Sequence, residues 1–178
     1  MNSSENPNYH LEVIEGNDLS AEQEEFINYW NQHYFGEIAV AKGLAKAPVH
    51  WRLILSEDRN LLSHVALTGM KIELNVERIK VGAVGGLFTP PELQGRGHAT
   101  ALMDHAEDFL FDRLELPACI LFCLPELVPF YTRRGWSLVE GPVTLQQKTG
   151  VVTWGAAAML LNANQGQSVN HTIHVPMK

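Results

Sequence analysis

The six residues Gln94-Gly95-Arg96-Gly97-His98-Ala99 put two glycines and a guanidinium directly ahead of a helical pattern. The first amides of a helix have no partner inside it. The aligned peptide dipoles add roughly half a positive charge at the same end. Glycine at 95 and 97 lets the backbone approach a bulky group closely, and Arg96 adds a cation. Together these parts suit a phosphate or pyrophosphate. Two common phosphate loops do not fit. The dinucleotide fingerprint wants a third glycine where Thr100 stands, and "TPPEL" separates the preceding strand from the turn. A P-loop needs Gly-Lys followed by Ser or Thr, and none follows.

The elements that must position this turn are legible from periodicity. "YHLEVIE" alternates as a strand does. Ser20–Gln23 has capping-box spacing, and Phe26, Ile27, Trp30 and Tyr34 mark one helical face. "EIAVAKGLAKAP" predicts a second helix, ended by Pro48. "WRLIL", "LLSHVALTGMKIEL" and "KVGAVGGLFT" are strands joined by the turns "SEDRN" and "NVERI". They predict an antiparallel meander from Trp51 to Thr89. A helix follows from about Ala99 to Leu114, with Ala99, Leu102, Met103, Ala106, Phe109 and Leu110 as its apolar stripe. "ACILFCL" is apolar throughout, as a strand covered on both faces should be. "PELVPFYTRRG" reads as a short helix stopped by Gly135. "WSLVEGPVTLQQ" and "TWGAAAMLL" close the fold as strands. With no repeat and no linker, the expectation is one domain over residues 9–161. A loose segment at 1–8 and a polar, patternless tail at 162–178 flank it. The fold class is a mixed α/β sheet: an antiparallel meander, then a β-α-β unit.

Bulk properties narrow the partners. The 178 residues carry a formal charge of −7, with 46% hydrophobic and 19% charged residues. That balance describes a soluble globular protein and argues against nucleic acid as a partner. No signal-like N-terminus and no membrane-length apolar run are visible, so a cytoplasmic location without membrane attachment is expected. Cys119 and Cys123 lie four residues apart in one strand, roughly 13 Å, too far for a disulfide. His171-x-x-His174 lies in the tail and is poor evidence for a metal site. No metal is expected. The first 41 residues hold eight carboxylates and no lysine or arginine. Glu22, Glu24 and Glu25 cluster at the first helix start, where they suit its dipole and could steer a cationic ligand.

Residues 94–99 fit Q/R-x-x-G-x-G/A, and "FYTRRGW" fits F/L-Y-x-x-x-G-F/W, with helix and apolar strand between them. In that order the chain resembles the GNAT N-acetyltransferases over about residues 9–161. The segment from His64 to Gly95 further resembles the aminoglycoside 2′-N-acetyltransferases, and "KVGAV" resembles the nodulation-factor N-acyltransferases. The resemblance implies acetyl-CoA as co-substrate and a primary amine of a small molecule as acceptor. It implies pyrophosphate binding by Gln94, Gly95, Arg96, Gly97, His98, Ala99 and Thr100. It also implies pantetheine contacts at Leu87, Phe88 and Thr89, and a general acid at Tyr131 beside the cofactor sulfur.

The chemistry needs an amine of pKa about 10.4 to lose a proton and a thiolate of pKa roughly 8.5 to leave. Gly85 stands where the aminoglycoside enzymes carry a strand glutamate, so the base must be another group. His64 is one candidate because an imidazole titrates near neutral pH. Glu126, just past the apolar strand, is a second, and a water chain is a third. Relatives often place an asparagine where Leu124 and Pro125 stand. Three other readings stay open: a longer acyl donor beside "GAVGG", an acyl-CoA sensor without turnover, and binding of a nucleotide other than CoA. The oligomeric state is not legible.

Overall fold

The structure is a computed structural model and describes residues 9–41, 47–162 and 171–176. The segment expected to be loose, residues 1–8, lies outside these. So do residues 42–46 of the stretch read as a second helix, and residues 163–170 of the tail. In chain order the elements are β1 (His10–Glu15), α1 (Ala21–Ala41), β2 (Trp51–Glu57), β3 (Asn60–Leu74) and β4 (Glu77–Phe88). Then come α2 (His98–Asp108), β5 (Ala118–Cys123), α3 (Val128–Thr132), β6 (Ser137–Leu138), β7 (Val143–Gln147), β8 (Gly150–Thr153), β9 (Ala157–Asn162) and β10 (Ile173–Val175). They gather into two compact units, with β3, β4 and α2 each contributing to both.

The first unit holds β1, α1, β2, residues 60–67 of β3 and residues 86–106. β1 pairs antiparallel with β2 along its whole length. β2 pairs antiparallel with β3 through a two-residue turn in which Asp58 and Arg59 both take positive φ, the hairpin geometry that matches strand twist. α1 opens on the expected capping box. Ser20 Oγ accepts from the Gln23 amide at 3.2 Å, and Gln23 Oε1 accepts from the Ser20 amide at 2.9 Å. Gln23 also donates to Glu12 on β1 at 2.6 Å, which ties the helix start to the sheet. Phe26, Ile27, Trp30, Tyr34 and Phe35 lie against Ile14, Ile54 and Phe88. Burying a side chain such as Ile27 or Ile54 contributes about 1.5–3 kcal/mol. The sequence pattern breaks at Gly36, yet α1 continues to Ala41 as one helix. Glycine costs a helix about 0.5–1 kcal/mol, less than the packed aromatic face around Phe35 returns.

The second unit holds residues 68–74 of β3, 77–85 of β4 and the chain from Glu107 onward. Its strand order is β6-β9-β5-β4-β3-β10-β7-β8. β4 and β5 run parallel, as do β7 and β10. β9 lies antiparallel to β5 and β6, β10 to β3, and β8 to β7. Ile72, Val81, Ile120, Val143, Leu160 and Ile173 form its core. β10 corrects the reading of a patternless tail: a three-residue strand with one buried residue, Ile173, leaves too short an alternation to recognise. The helix expected to reach Leu114 ends at Asp108 and continues as one π-helical turn, in which the Leu114 amide donates to Phe109 O at 3.1 Å. That turn buries both Phe109 and Leu110. Leu110 covers Gly82, where a Cβ would come within 2.7 Å of it.

One polar cluster is built into this unit. Glu107 accepts from Arg134 Nε at 3.2 Å, from Arg134 Nη2 at 2.9 Å and from Trp136 Nε1 at 2.8 Å. The Arg134 and Glu107 side chains are only 9% and 16% exposed. Truncating one member leaves a poorly hydrated charge alone. Glu107→Ala should therefore lower the unfolding free energy by about 3 kcal/mol, measured in urea. A loss below about 1 kcal/mol would show that the cluster contributes little.

Candidate active site

In the first unit, the end of β4 is shaped by side chains. Gly86 takes φ +59, a left-handed conformation that suits glycine. Its carbonyl accepts from His64 Nδ1 at 2.9 Å. Ser63 Oγ donates to Phe88 O at 2.8 Å and lies 2.9 Å from Thr89 Oγ1. Tyr34 Oη donates to Thr89 O at 3.2 Å and accepts from Gln94 Nε2 at 3.0 Å. Gln94 Nε2 also donates to Thr89 O at 3.0 Å. Tyr34 itself stacks between Trp30 and Phe88. Of the three residues expected to meet a pantetheine arm, Phe88 and Thr89 thus have their carbonyls engaged, while among the described residues no side chain holds that of Leu87. Gln94, the first residue of the turn motif, spends its amide on the strand end. Ser63 and Tyr34 were missed as contributors. A serine at a buried strand position was the available signal for the first, but Tyr34 read only as part of an apolar face.

The turn itself is exposed. Gly95 and Gly97 take φ +75 and +85, and among the described residues no atom lies within 4 Å of where a Cβ would stand at either. Glycine is needed here for its backbone conformation, and the space beside it is open. Gly97 O accepts the first α2 hydrogen bond, from the Ala101 amide at 2.9 Å. The amides of His98, Ala99 and Thr100 precede that bond and face the N-terminal end. Arg96 folds back to donate to Glu92 O at 3.1 Å. His98 departs from expectation in one respect. Its side chain is buried edge-on to Tyr9, and among the described residues neither ring nitrogen has a hydrogen-bond partner. Burial and Arg96 hold its pKa down, against a smaller pull from Glu57. Only its backbone remains to serve an anion.

His64 is 0% exposed, and both ring nitrogens are engaged, Nδ1 with Gly86 O and Nε2 with Arg52 Nη1 at 3.3 Å. Burial pushes its pKa down to about 3. A base must take up a proton near neutral pH, and this neutral imidazole does not. It holds the kinked carbonyl of Gly86 instead.

In the second unit, Tyr131 is 6% exposed, packed against Phe130 and Trp136. Burial, reinforced by Cys123, raises its phenol well above the usual value. No hydrogen bond engages its hydroxyl among the described residues. Arg134 and Trp136 of "FYTRRGW" grip Glu107, and Gly135 takes φ +89 after α3. Half of that motif therefore supports the position of its tyrosine. Glu126 lies exposed in the turn just after β5. Cys119 and Cys123 are free and buried, and burial pushes the Cys119 thiol up to about 12. His171 and His174 go to separate partners, Asn75 and Thr144. Gly85 is exposed and has no atom within 4 Å of its missing Cβ among the described residues.

A mixed sheet carrying a glycine-kinked strand end, an open amide turn and a following helix defines an acyl-CoA N-acyltransferase fold. Residues 21–139 match the family model of an acetyltransferase (GNAT) domain, and the chain belongs to that family of enzymes. No curated protein sequence matches it. Among solved structures it is similar to Escherichia coli ElaA, at 11% identity and TM-score 0.59, covering 85% of this chain and 98% of the other. An acyl-CoA N-acyltransferase from Pseudomonas aeruginosa is similar at 16% identity and TM-score 0.54, covering 85% and 98%. A GNAT family acetyltransferase from Brucella melitensis, solved in complex with acetyl-CoA, is similar at 18% identity and TM-score 0.51, covering 89% and 94%. At such identities the likeness is one of fold.

The protected imidazole has a pH signature. An unfolded histidine binds its proton near pH 6.5, whereas His64 waits until about 3. Between those values the unfolded state holds more protons. Stability from this group is complete above pH 6.5 and falls as pH drops, by up to about 1.4 kcal/mol per unit. Urea titrations between pH 5 and 6.5 should give a shallower slope for His64→Gln than for the wild type. Equal slopes would mean that the ring is not protected.

Proposed function

We propose that the protein transfers the acetyl group of acetyl-CoA to a primary amine of a small acceptor that is cationic at its reacting end. The observation that carries this reading is the open amide turn at residues 94–99 in a chain of the GNAT family. Gly95 and Gly97 leave the space a diphosphate needs, and the amides of residues 98–100 point a positive dipole end into it. Arg96 is exposed and supplies a cation there. Acetyl-CoA, when bound, supplies the activated thioester.

The chain then has two proton tasks. Tyr131 is the donor to the departing sulfur: its buried phenol keeps its proton far above neutral pH, and among the described residues its hydroxyl is not tied to a neighbour. The amine proton leaves through Glu126 or through solvent, since the lone pair of His64 is already taken by Arg52. Open space at Gly85 admits an acceptor where a strand carboxylate would otherwise stand. Glu22, Glu24 and Glu25 are exposed at the start of α1 and draw ammonium groups by a field that salt weakens. Polyamines, aminoglycosides, amino acids and peptide termini are amines of the required kind. The sequestered His64 also suits a second reading, a binder of acyl-CoA without turnover.

Thiol release from acetyl-CoA across such a panel separates the two. Release with at least one amine supports transfer. Saturable binding without release with any of them supports the sensor. Gly97→Asp puts a carboxylate into the phosphate space and should weaken acetyl-CoA binding by at least about 10²-fold, since a like charge there costs several kcal/mol. Calorimetry that finds wild-type affinity in a folded variant would remove the turn from the phosphate site. Tyr131→Phe keeps the ring and loses the proton. It should lower kcat by about 10²-fold with little change in acetyl-CoA affinity or Tm. An unchanged kcat, with chemistry shown to limit the rate, would reduce Tyr131 to a packing residue.

A further inference from the structure

Arg52 on β2 is a guanidinium without a counter-charge among the described residues. Its Nη1 donates to His64 Nε2 and its Nη2 to Asn17 Oδ1, both at 3.3 Å, and both partners are neutral. Its Nε is buried and has no acceptor among the described residues. Burial alone holds its pKa down, with no carboxylate opposing that effect. Arg134 shows what this fold does elsewhere with a guanidinium taken out of water: it meets Glu107 through two nitrogens. Arg52 is half-buried and so loses part of its hydration, a cost that an anion would offset, and among the described residues none does so.

The surroundings say where such an anion comes from. The Nη2 edge, beside Asn17, is open to solvent, so a ligand can reach it. Arg52 lies on the same face of the first unit's sheet as Ile54 and His64, the face that α1 covers. The path Arg52–His64–Gly86 O spans a single imidazole ring and ends one residue before Leu87. The side-chain oxygen of Asn31 on α1 lies 3.6 Å from where a Gly86 Cβ would stand. The guanidinium therefore sits one ring away from the strand end at which, on the function proposed above, the acyl group is presented.

We propose that Arg52, with Asn17, is a carboxylate-binding subsite, and that the acceptor carries a carboxylate besides its amine, as an amino acid or a short peptide does. The inference rests on the proposed acetyl transfer and adds the acceptor's second functional group. An arginine fork matches a carboxylate in geometry as well as charge. The remaining N–H on Arg52 Nη2, at the solvent-facing edge beside Asn17, is what the ligand would fill first. The acceptor's ammonium and carboxylate then go to different places, the first to the acyl group and the second to Arg52.

Two measurements on the full chain test this. The first compares kcat/KM for amino acids with that for the matching amino-acid amides, which differ only in the charge. The wild type should prefer the acids by about 10²-fold, and Arg52→Gln should bring the ratio close to one through KM. Arg52→Lys should restore part of it, because the charge returns without the fork. The second follows equilibrium binding of N-acetyl amino acids and their amides to the wild type and both variants. It reads the subsite even if no amine turns over, so failure of the transfer reading and failure of the subsite are distinguishable. No preference for the acid in either measurement would overturn the proposal. An Arg52→Gln variant that slows acid and amide alike would overturn it too, leaving a structural arginine. A variant that weakens acetyl-CoA binding alone would assign the cation to a cofactor phosphate instead.

Discussion

Three backbone carbonyls at and just after the end of β4 are each held by a side chain: Gly86 by His64, Phe88 by Ser63, and Thr89 by Tyr34 with Gln94. A buried acceptor left unpaired costs about 1–3 kcal/mol, and a kinked strand end cannot satisfy all its carbonyls through a regular ladder. The side chains that solve this come from α1, β3 and the turn itself. They fix where the chain leaves the sheet, and so where the amides of residues 98–100 stand. The glycine turn at residues 94–99, where we propose the diphosphate binds, is thus positioned by polar contacts at the strand end before it. Gln94 belongs to both: it opens the turn and closes the strand.

Much of this was legible in the sequence because it depends on local chemistry. The glycines at 95 and 97 declared their left-handed backbone, Ser20 and Gln23 declared the helix start, and the uniform apolar run at 118–123 declared a strand covered on both faces. What escaped depends on partners far away in the chain. The hydroxyls of Ser63 and Tyr34 act on a strand end 25 and 55 residues on, and no local pattern marks that. His64 read as a candidate base because its type allows it. Burial and Arg52 decide otherwise, and neither is visible from the residue alone. The π-helical turn at Phe109–Arg113 answers to the packing of Leu110 over Gly82, which a helical repeat does not encode.

The "FYTRRGW" segment shows how a motif divides its labour. Among the described residues the Tyr131 hydroxyl has no hydrogen-bond partner, while Arg134 and Trp136 are committed to Glu107 on α2. The carboxylate accepts three hydrogen bonds from two side chains. It ties the end of α2 to the chain just beyond α3, and Gly135 makes the turn that lets both donors face it. The acid role proposed for Tyr131 requires its hydroxyl to be held to within a fraction of an ångström. The rigidity for that comes from residues that do no chemistry themselves.

The place of β10 in the sheet has a kinetic meaning. In the strand order it stands between β3 and β7, pairing Ile173 with Leu74 on one side and with Val143 on the other. The β7–β8 hairpin therefore cannot join the rest of the sheet until a segment near residue 175 has been made. During synthesis the earlier strands emerge well before the one that locks them together, and Leu74 must wait for a partner far along the chain. Loops of that length close slowly. While they are open, the edges of β3 and β7 present unpaired backbone groups to any neighbouring chain. Folding of this protein is thus gated late, by one of its shortest strands.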